Sequence, residues 1–171
     1  MIQSLPKVTI NAAFLKEIKD DNLNLYSLLE NLRSFWLVND PVVLNPNWFS
    51  ALVNQLRDQL AIHFALEETF GYFDHPVKHD AFLSAEAKRL KDQHVDLYLE
   101  INLIAEKSED IIYPVFNESR YTTLVNQFKK FYQSFQQHEV AEFDLIMRVT
   151  HEEYKRSQNN ILMHELIPRE R

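Results

Sequence analysis

Apolar residues recur at three- and four-residue steps in four long stretches of the chain. Phe14, Ile18, Leu25, Leu29 and Leu32 predict a first helix over about Ala12 to Trp36. A second starts near Trp48 and carries Phe49, Leu52, Leu56, Leu60, His63, Glu67 and Phe70 on one face, with Phe73 as its expected end. Ser84 is the expected cap of a third, running to about Glu106 with the stripe Ala87, Leu90, His94, Leu97, Ile101 and Ile104. The fourth begins about Arg120 and carries Leu124, Phe128, Phe131, Phe135, His138, Glu142, Leu145 and Val149.

Between these stretches lie "VNDPVVLNPN", "GYFDHPVKHD" and "SEDIIYPVFNES", where prolines, asparagines and the single glycine interrupt the helical period. Four long helices joined by loops of about ten residues predict an all-α, up-down-up-down antiparallel four-helix bundle. A lone glycine in 171 residues points the same way, because sandwiches, barrels and phosphate-cradling loops need glycine at their turns. The expectation is one domain over 1–171, with a core at about 12–156, an N-terminal arm and a short C-terminal extension. The tail "NNILMHELIPRER" either extends the last helix or adds a short one.

With no cysteine, metal chemistry is restricted to nitrogen and oxygen ligands, and thiol nucleophiles and disulfides are excluded. A formal charge of −7 works against nonspecific binding to nucleic acid or anionic membrane, since counterion release needs a basic face. "MIQSLPKVTIN" lacks the apolar run of a signal peptide, and no stretch approaches the roughly 20 apolar residues of a membrane span. The expectation is a soluble, cytoplasmic protein; the sequence leaves its oligomeric state and any protein partner open.

The candidate chemistry lies on the apolar faces themselves. His63, Glu67, His94, His138 and Glu142 stand at positions where the period calls for core residues. A carboxylate buried alone costs several kcal/mol, so five such groups require compensation. His63 and Glu67, like His138 and Glu142, are four apart, which puts their Cβ atoms about 5–6 Å from one another on one helix face. Two such steps can bracket a pair of metal ions about 3.5–4 Å apart. Glu68, one position on from Glu67, turns about 100° away, to solvent or to a supporting role.

Residue counts place these groups at similar heights. His63 lies ten residues before Phe73 and His94 ten after Ser84, so an antiparallel hairpin brings them level. Phe49 to His63 is 14 residues, and 14 before Trp36 is Asn22. The fourth helix fits less well: 13 residues separate His94 from Lys107 but 18 separate Arg120 from His138, a mismatch of about 7 Å at 1.5 Å per residue.

One inward residue in the first helix, His-x-x-x-Glu in the second, a histidine in the third and His-x-x-x-Glu in the fourth is a combination that resembles the hemerythrin-like, or HHE cation-binding, family. The resemblance runs from about Ala12 to Thr150 and is carried by "LKEIKDDNLNLYSLLENLR", "LAIHFALEE" and "FQQHEVAEFD". It implies one or two non-haem irons, with Glu67 and Glu142 bridging, His63 on one ion, and His94 and His138 on the other. It further implies that a diatomic such as oxygen or nitric oxide binds at an open position, or that iron is handled there. Donor type also admits manganese or zinc. Two positions depart from the family: Asn22 stands where it carries a first-helix histidine, and Tyr98 where many hemerythrins carry a second third-helix histidine. Asn22, its neighbour Asp21 and Tyr98 are therefore additional candidate ligands.

Other motifs fall away. Ferritin-like sites need Glu-x-x-His, but Leu60, Lys91 and Phe135 precede the inward histidines by three. "HEVAE" lacks the second histidine of zinc proteases, so a binding protein is expected rather than a hydrolase. His75 and His79 sit in a predicted turn, and His151 and His164 in the charged end of the last helix. Phe128, Phe131 and Phe135 read as core packing and as a wall able to keep water from a metal. The alternative to a metal protein is a degenerate, metal-poor bundle whose inward His and Glu pair with one another and which acts as an interaction or regulatory module.

Overall fold

The structure, a computed structural model, describes residues 12–37, 45–69, 81–111 and 117–165, with side chains left undescribed at 12–21, 150, 152–154 and 156–165. Its described elements are four helices and no strand: α1 (Ala12–Leu37), α2 (Pro46–Thr69), α3 (Ala81–Asp110) and α4 (Glu118–Glu165). Each helix packs on its neighbour in the chain, and α4 closes back, more lightly, on α1.

The helix starts show local chemistry overriding the apolar period. α2 begins at Pro46, two residues before the expected Trp48, because Asn45 accepts the Trp48 amide on its side chain at 3.1 Å and Pro46 occupies the first helical turn, where no amide is needed. Asn117 caps α4 in the same way, accepting the Arg120 amide at 3.0 Å, so this helix starts at Glu118 rather than Arg120. Glu118 also places a negative charge where the helix dipole favours one. Ser84 is not a cap: α3 starts at Ala81, because Leu83 is buried and extends the apolar stripe back past it. At its other end α3 runs on to Asp110. Ser108 is buried there; it donates to the Ala105 carbonyl at 2.7 Å and therefore accepts from Ser50 of α2, 2.8 Å away. The tail to Glu165 continues α4. The expected end of α2 at Phe73, the turn histidines His75 and His79 and the arm at 1–11 lie outside the described residues, as does the side chain of His164.

The core consists of two apolar clusters. The larger gathers all four helices through residues such as Leu32, Leu56, Ile101, Phe128 and Phe131. At one end Phe49 lies edge-on to Phe35, Tyr121 and Phe128, with centroids at 5.2, 5.7 and 6.0 Å, which ties the end of α1 to the starts of α2 and α4. The smaller cluster holds Leu83, Ala87 and Leu90 of α3 against Leu145 and Val149 of α4. Between the two clusters along α3 and α4 lie His94, His138 and Glu142, all buried.

The expected mismatch of α4 is taken up at its start. Lys107 Nζ lies 3.4 Å from Gln127 Oε1, 13 residues after His94 and 11 before His138, so the two helices stay in antiparallel register from that contact to the histidines. Residues 118–126 of α4 precede Gln127 while only 108–110 of α3 follow Lys107, so α4 overhangs the end of its neighbour.

Truncating Phe128 at the centre of the larger cluster should destabilise the fold by about 3–5 kcal/mol. Leu99→Ala on the exposed face of α3 should stay within about 0.5 kcal/mol. Urea unfolding followed by circular dichroism checks both values.

Candidate metal centre

All five inward residues of α2, α3 and α4 meet in one layer, and a sixth joins them. His94, His138 and Glu142 form one group able to hold a metal ion; His63, Glu67 and Glu139 form a second, each offering ligand atoms within 4.8 Å of one another. In the first, Glu142 Oε1 stands 3.1 Å from His94 Nε2 and 3.2 Å from His138 Nε2. In the second, His63 Nε2 stands 3.1 Å from Glu67 Oε1 and 3.3 Å from Glu139 Oε1. Glu67 links the groups, since its other oxygen, Oε2, is 3.5 Å from His94 Nε2. One carboxylate thus faces both candidate positions.

The imidazoles are oriented by the groups behind them. His138 Nδ1 lies 3.2 Å from Gln93 Oε1, which only accepts, so that nitrogen donates to Gln93 and Nε2 is turned to the layer. His94 Nδ1 likewise donates to Glu68 Oε1 at 3.3 Å. Of the two roles open to Glu68, supporting a ligand is the one observed; Lys91 Nζ at 3.4 Å helps to hold its carboxylate. The apolar side is a ring of aromatics: Phe64 stacks on His94 at 4.3 Å, and Phe135 lies 6.2 Å from His63 and stacks on Phe131.

A metal ion fits this donor set on an observation independent of spacing. The buried atoms Glu67 Oε2 and His138 Nε2 have no hydrogen-bond partner among the described residues, although His138 Nε2 is only 3.2 Å from a carboxylate oxygen. Buried polar atoms are ordinarily satisfied. Here each lies within 3.5 Å of another ligand atom of the layer without bonding it, as ligand atoms do.

Asn22 is half-buried and lines a cavity of about 410 Å3 with Tyr26, His63, Glu67, Glu139 and Glu142, so it faces the layer from α1. The side chain of Asp21 lies outside the described ones. Tyr98 packs, partly buried, against the larger apolar cluster. Glu139 lies off the apolar stripe of α4 that carries His138 and Glu142, because it follows His138 directly and so turns away from it. A second stripe did contain the signal: Phe135, Glu139, Glu142 and Ile146 also recur at steps of four, three and four, and the last three line the cavity toward α1.

Charge in the layer is strongly coupled. Burial would lower the pKa of His63, but hydrogen bonds to Glu139 and Glu67 and their charges outweigh it and raise the pKa to about 11. Burial would raise Glu142, yet the close imidazoles of His138 and His94, at 3.2 and 3.1 Å, bring it down to about 2. Glu67 is raised, chiefly by burial, with Glu142 and Glu139 adding to the shift against the pull of His63. His94 is raised because Glu142, Glu67 and Glu68 together overcome its burial.

No protein-family model, curated protein or solved structure matches this chain.

The pKa values fix how the metal-free protein responds to pH. His63, raised from 6.5, contributes stability fully below pH 6.5 and loses it as pH rises toward about 11. Glu142, lowered from 4.5, contributes above pH 4.5 and loses it as pH falls toward about 2. Metal-free protein should therefore melt at its highest temperature between these two limits. Thermal scans in chelator across the range check this; a melting temperature still climbing above pH 7 would contradict it.

Proposed function

We propose that this chain is a hemerythrin-like, non-haem iron protein that holds up to two ions in the layer and binds or senses a small diatomic such as oxygen or nitric oxide. The single observation that carries the reading is the pair of adjoining His/Glu groups linked by Glu67, whose two oxygens face different groups. The gathering of the end of α1 with the starts of α2 and α4, and of Ser50 with Ser108, supports the up-down-up-down topology of such bundles.

His94, His138 and Glu142 would hold one ion and His63, Glu67 and Glu139 the other. The donors are imidazoles and carboxylates, a set that suits iron and also admits manganese and zinc. When bound, ferrous iron supplies electrons and an open position for a diatomic. The chain's own contribution is orientation and shielding. Gln93 and Glu68 fix two imidazoles with Nε2 turned inward, the orientation control expected of groups behind metal ligands. Phe64 and Phe135 exclude water from the side of the larger cluster.

Anaerobic loading with ferrous iron should yield two ions per chain by metal counting, and admitting air should produce a new visible absorption band. His138→Ala should hold at most one ion and lose the band. Unchanged stoichiometry in that variant would overturn the assignment. A chain that takes up no metal would favour the metal-poor interaction module instead.

A further inference from the structure

The two ligand groups differ in three independent respects. The first is composition: His94, His138 and Glu142 offer two imidazoles and one carboxylate, whereas His63, Glu67 and Glu139 offer one imidazole and two carboxylates. The second is burial, complete for all three members of the first group but only partial for Glu67 and Glu139. The third is access. The cavity between α1 and α4 is lined by every member of the second group, while Glu142 alone represents the first. A separate cavity between α3 and α4 does reach His138, but Gln93 lines it and bonds His138 Nδ1, so it meets the ring on the edge away from the ligand atom.

We infer that the chain carries two unequal metal positions: an inner, nitrogen-rich one of His94, His138 and Glu142, and an outer, oxygen-rich one of His63, Glu67 and Glu139. The outer position exchanges its metal through the α1/α4 cavity. Glu139 of α4 there completes the set on the side where α1 presents Asn22. The inference rests on the metal-binding reading above and adds the order, identity and route of loading.

α1 still serves the outer position, at one remove. The Tyr26 hydroxyl donates to Glu139 Oε2 at 3.4 Å while Glu139 Oε1 faces His63 at 3.3 Å, so Tyr26 orients a carboxylate whose other oxygen is the ligand atom. Tyr26 is a positioning residue in this arrangement. The donor sets then sort metals. Two imidazoles favour ions late in the divalent series such as zinc, and a carboxylate-rich set tolerates harder ions such as manganese.

The test is a titration of metal-free full-length protein with zinc, followed by manganese, read by calorimetry, by metal counting after desalting and by the electron paramagnetic resonance of bound manganese. Zinc should bind in two resolved classes of one ion each. Manganese added to protein carrying one zinc should give a chain with one of each. Glu139→Gln should lose the weaker class and keep the tight one, and Tyr26→Phe should weaken the weaker class alone, by about tenfold. Glu142→Gln should remove the tight class. Two zinc ions of indistinguishable affinity, a statistical mixture of zinc and manganese, or equal loss of both classes in Glu139→Gln would overturn the inequality while leaving metal binding intact. Absence of any bound metal would overturn the underlying reading as well.

Discussion

The arrangement of this bundle turns on the burial of ionisable groups in a single cross-layer, where Glu142 sits between His94 and His138 and Glu67 reaches from His63 toward His94. A carboxylate in such surroundings is tolerated only while its partners stay in register, because displacing one partner leaves a buried charge without compensation. The register is held from both sides along α3 and α4. The larger apolar cluster fixes the helices on one side of the layer, and Leu83, Ala87 and Leu90 against Leu145 and Val149 fix them on the other. A slip of one turn in either helix would move a histidine out of the layer and a leucine into it.

The supports around the layer are cheap local devices with long-range effect. Asparagine caps set where α2 and α4 begin, and α4 is positioned so that its overhang beyond α3 restores His138 to the height of His94. Gln93, Glu68 and the aromatic rings then decide which imidazole nitrogen looks inward. The chemistry available to the site is thus set by residues that are not ligands.

Helix period made the four elements and five inward residues legible, since burying an apolar stripe dominates helix placement. Boundaries were less so. Ser84 had the right residue type for a cap, but the burial of Leu83 carried α3 past it, and Ser108 kept a polar run helical by bonding its own backbone and Ser50. Glu139 escaped for a different reason. It belongs to the flank of α4 that faces α1, and α1 packs on α4 only lightly, so the apolar residues of that flank, Val140 and Phe143 among them, stay exposed and do not mark it as inward. Its role depends on a contact between residues 113 positions apart, Tyr26 and Glu139, for which no local pattern exists.

Protons occupy in this layer the atoms that a metal ion would need. In the metal-free protein His63 is held protonated by Glu67 and Glu139, and His94 is pushed the same way by Glu142, Glu67 and Glu68. Imidazolium therefore balances part of the carboxylate charge that would otherwise be buried unpaired. On the proposed function, loading would exchange protons for metal at a site whose framework the apolar clusters already build. His138 is held differently from the other two inward histidines. Its Nδ1 proton is committed to Gln93, and its Nε2 faces Glu142 without a bond. For a cation held by His94, His138 and Glu142, that ring nitrogen would be a ligand atom with no competing hydrogen bond to give up.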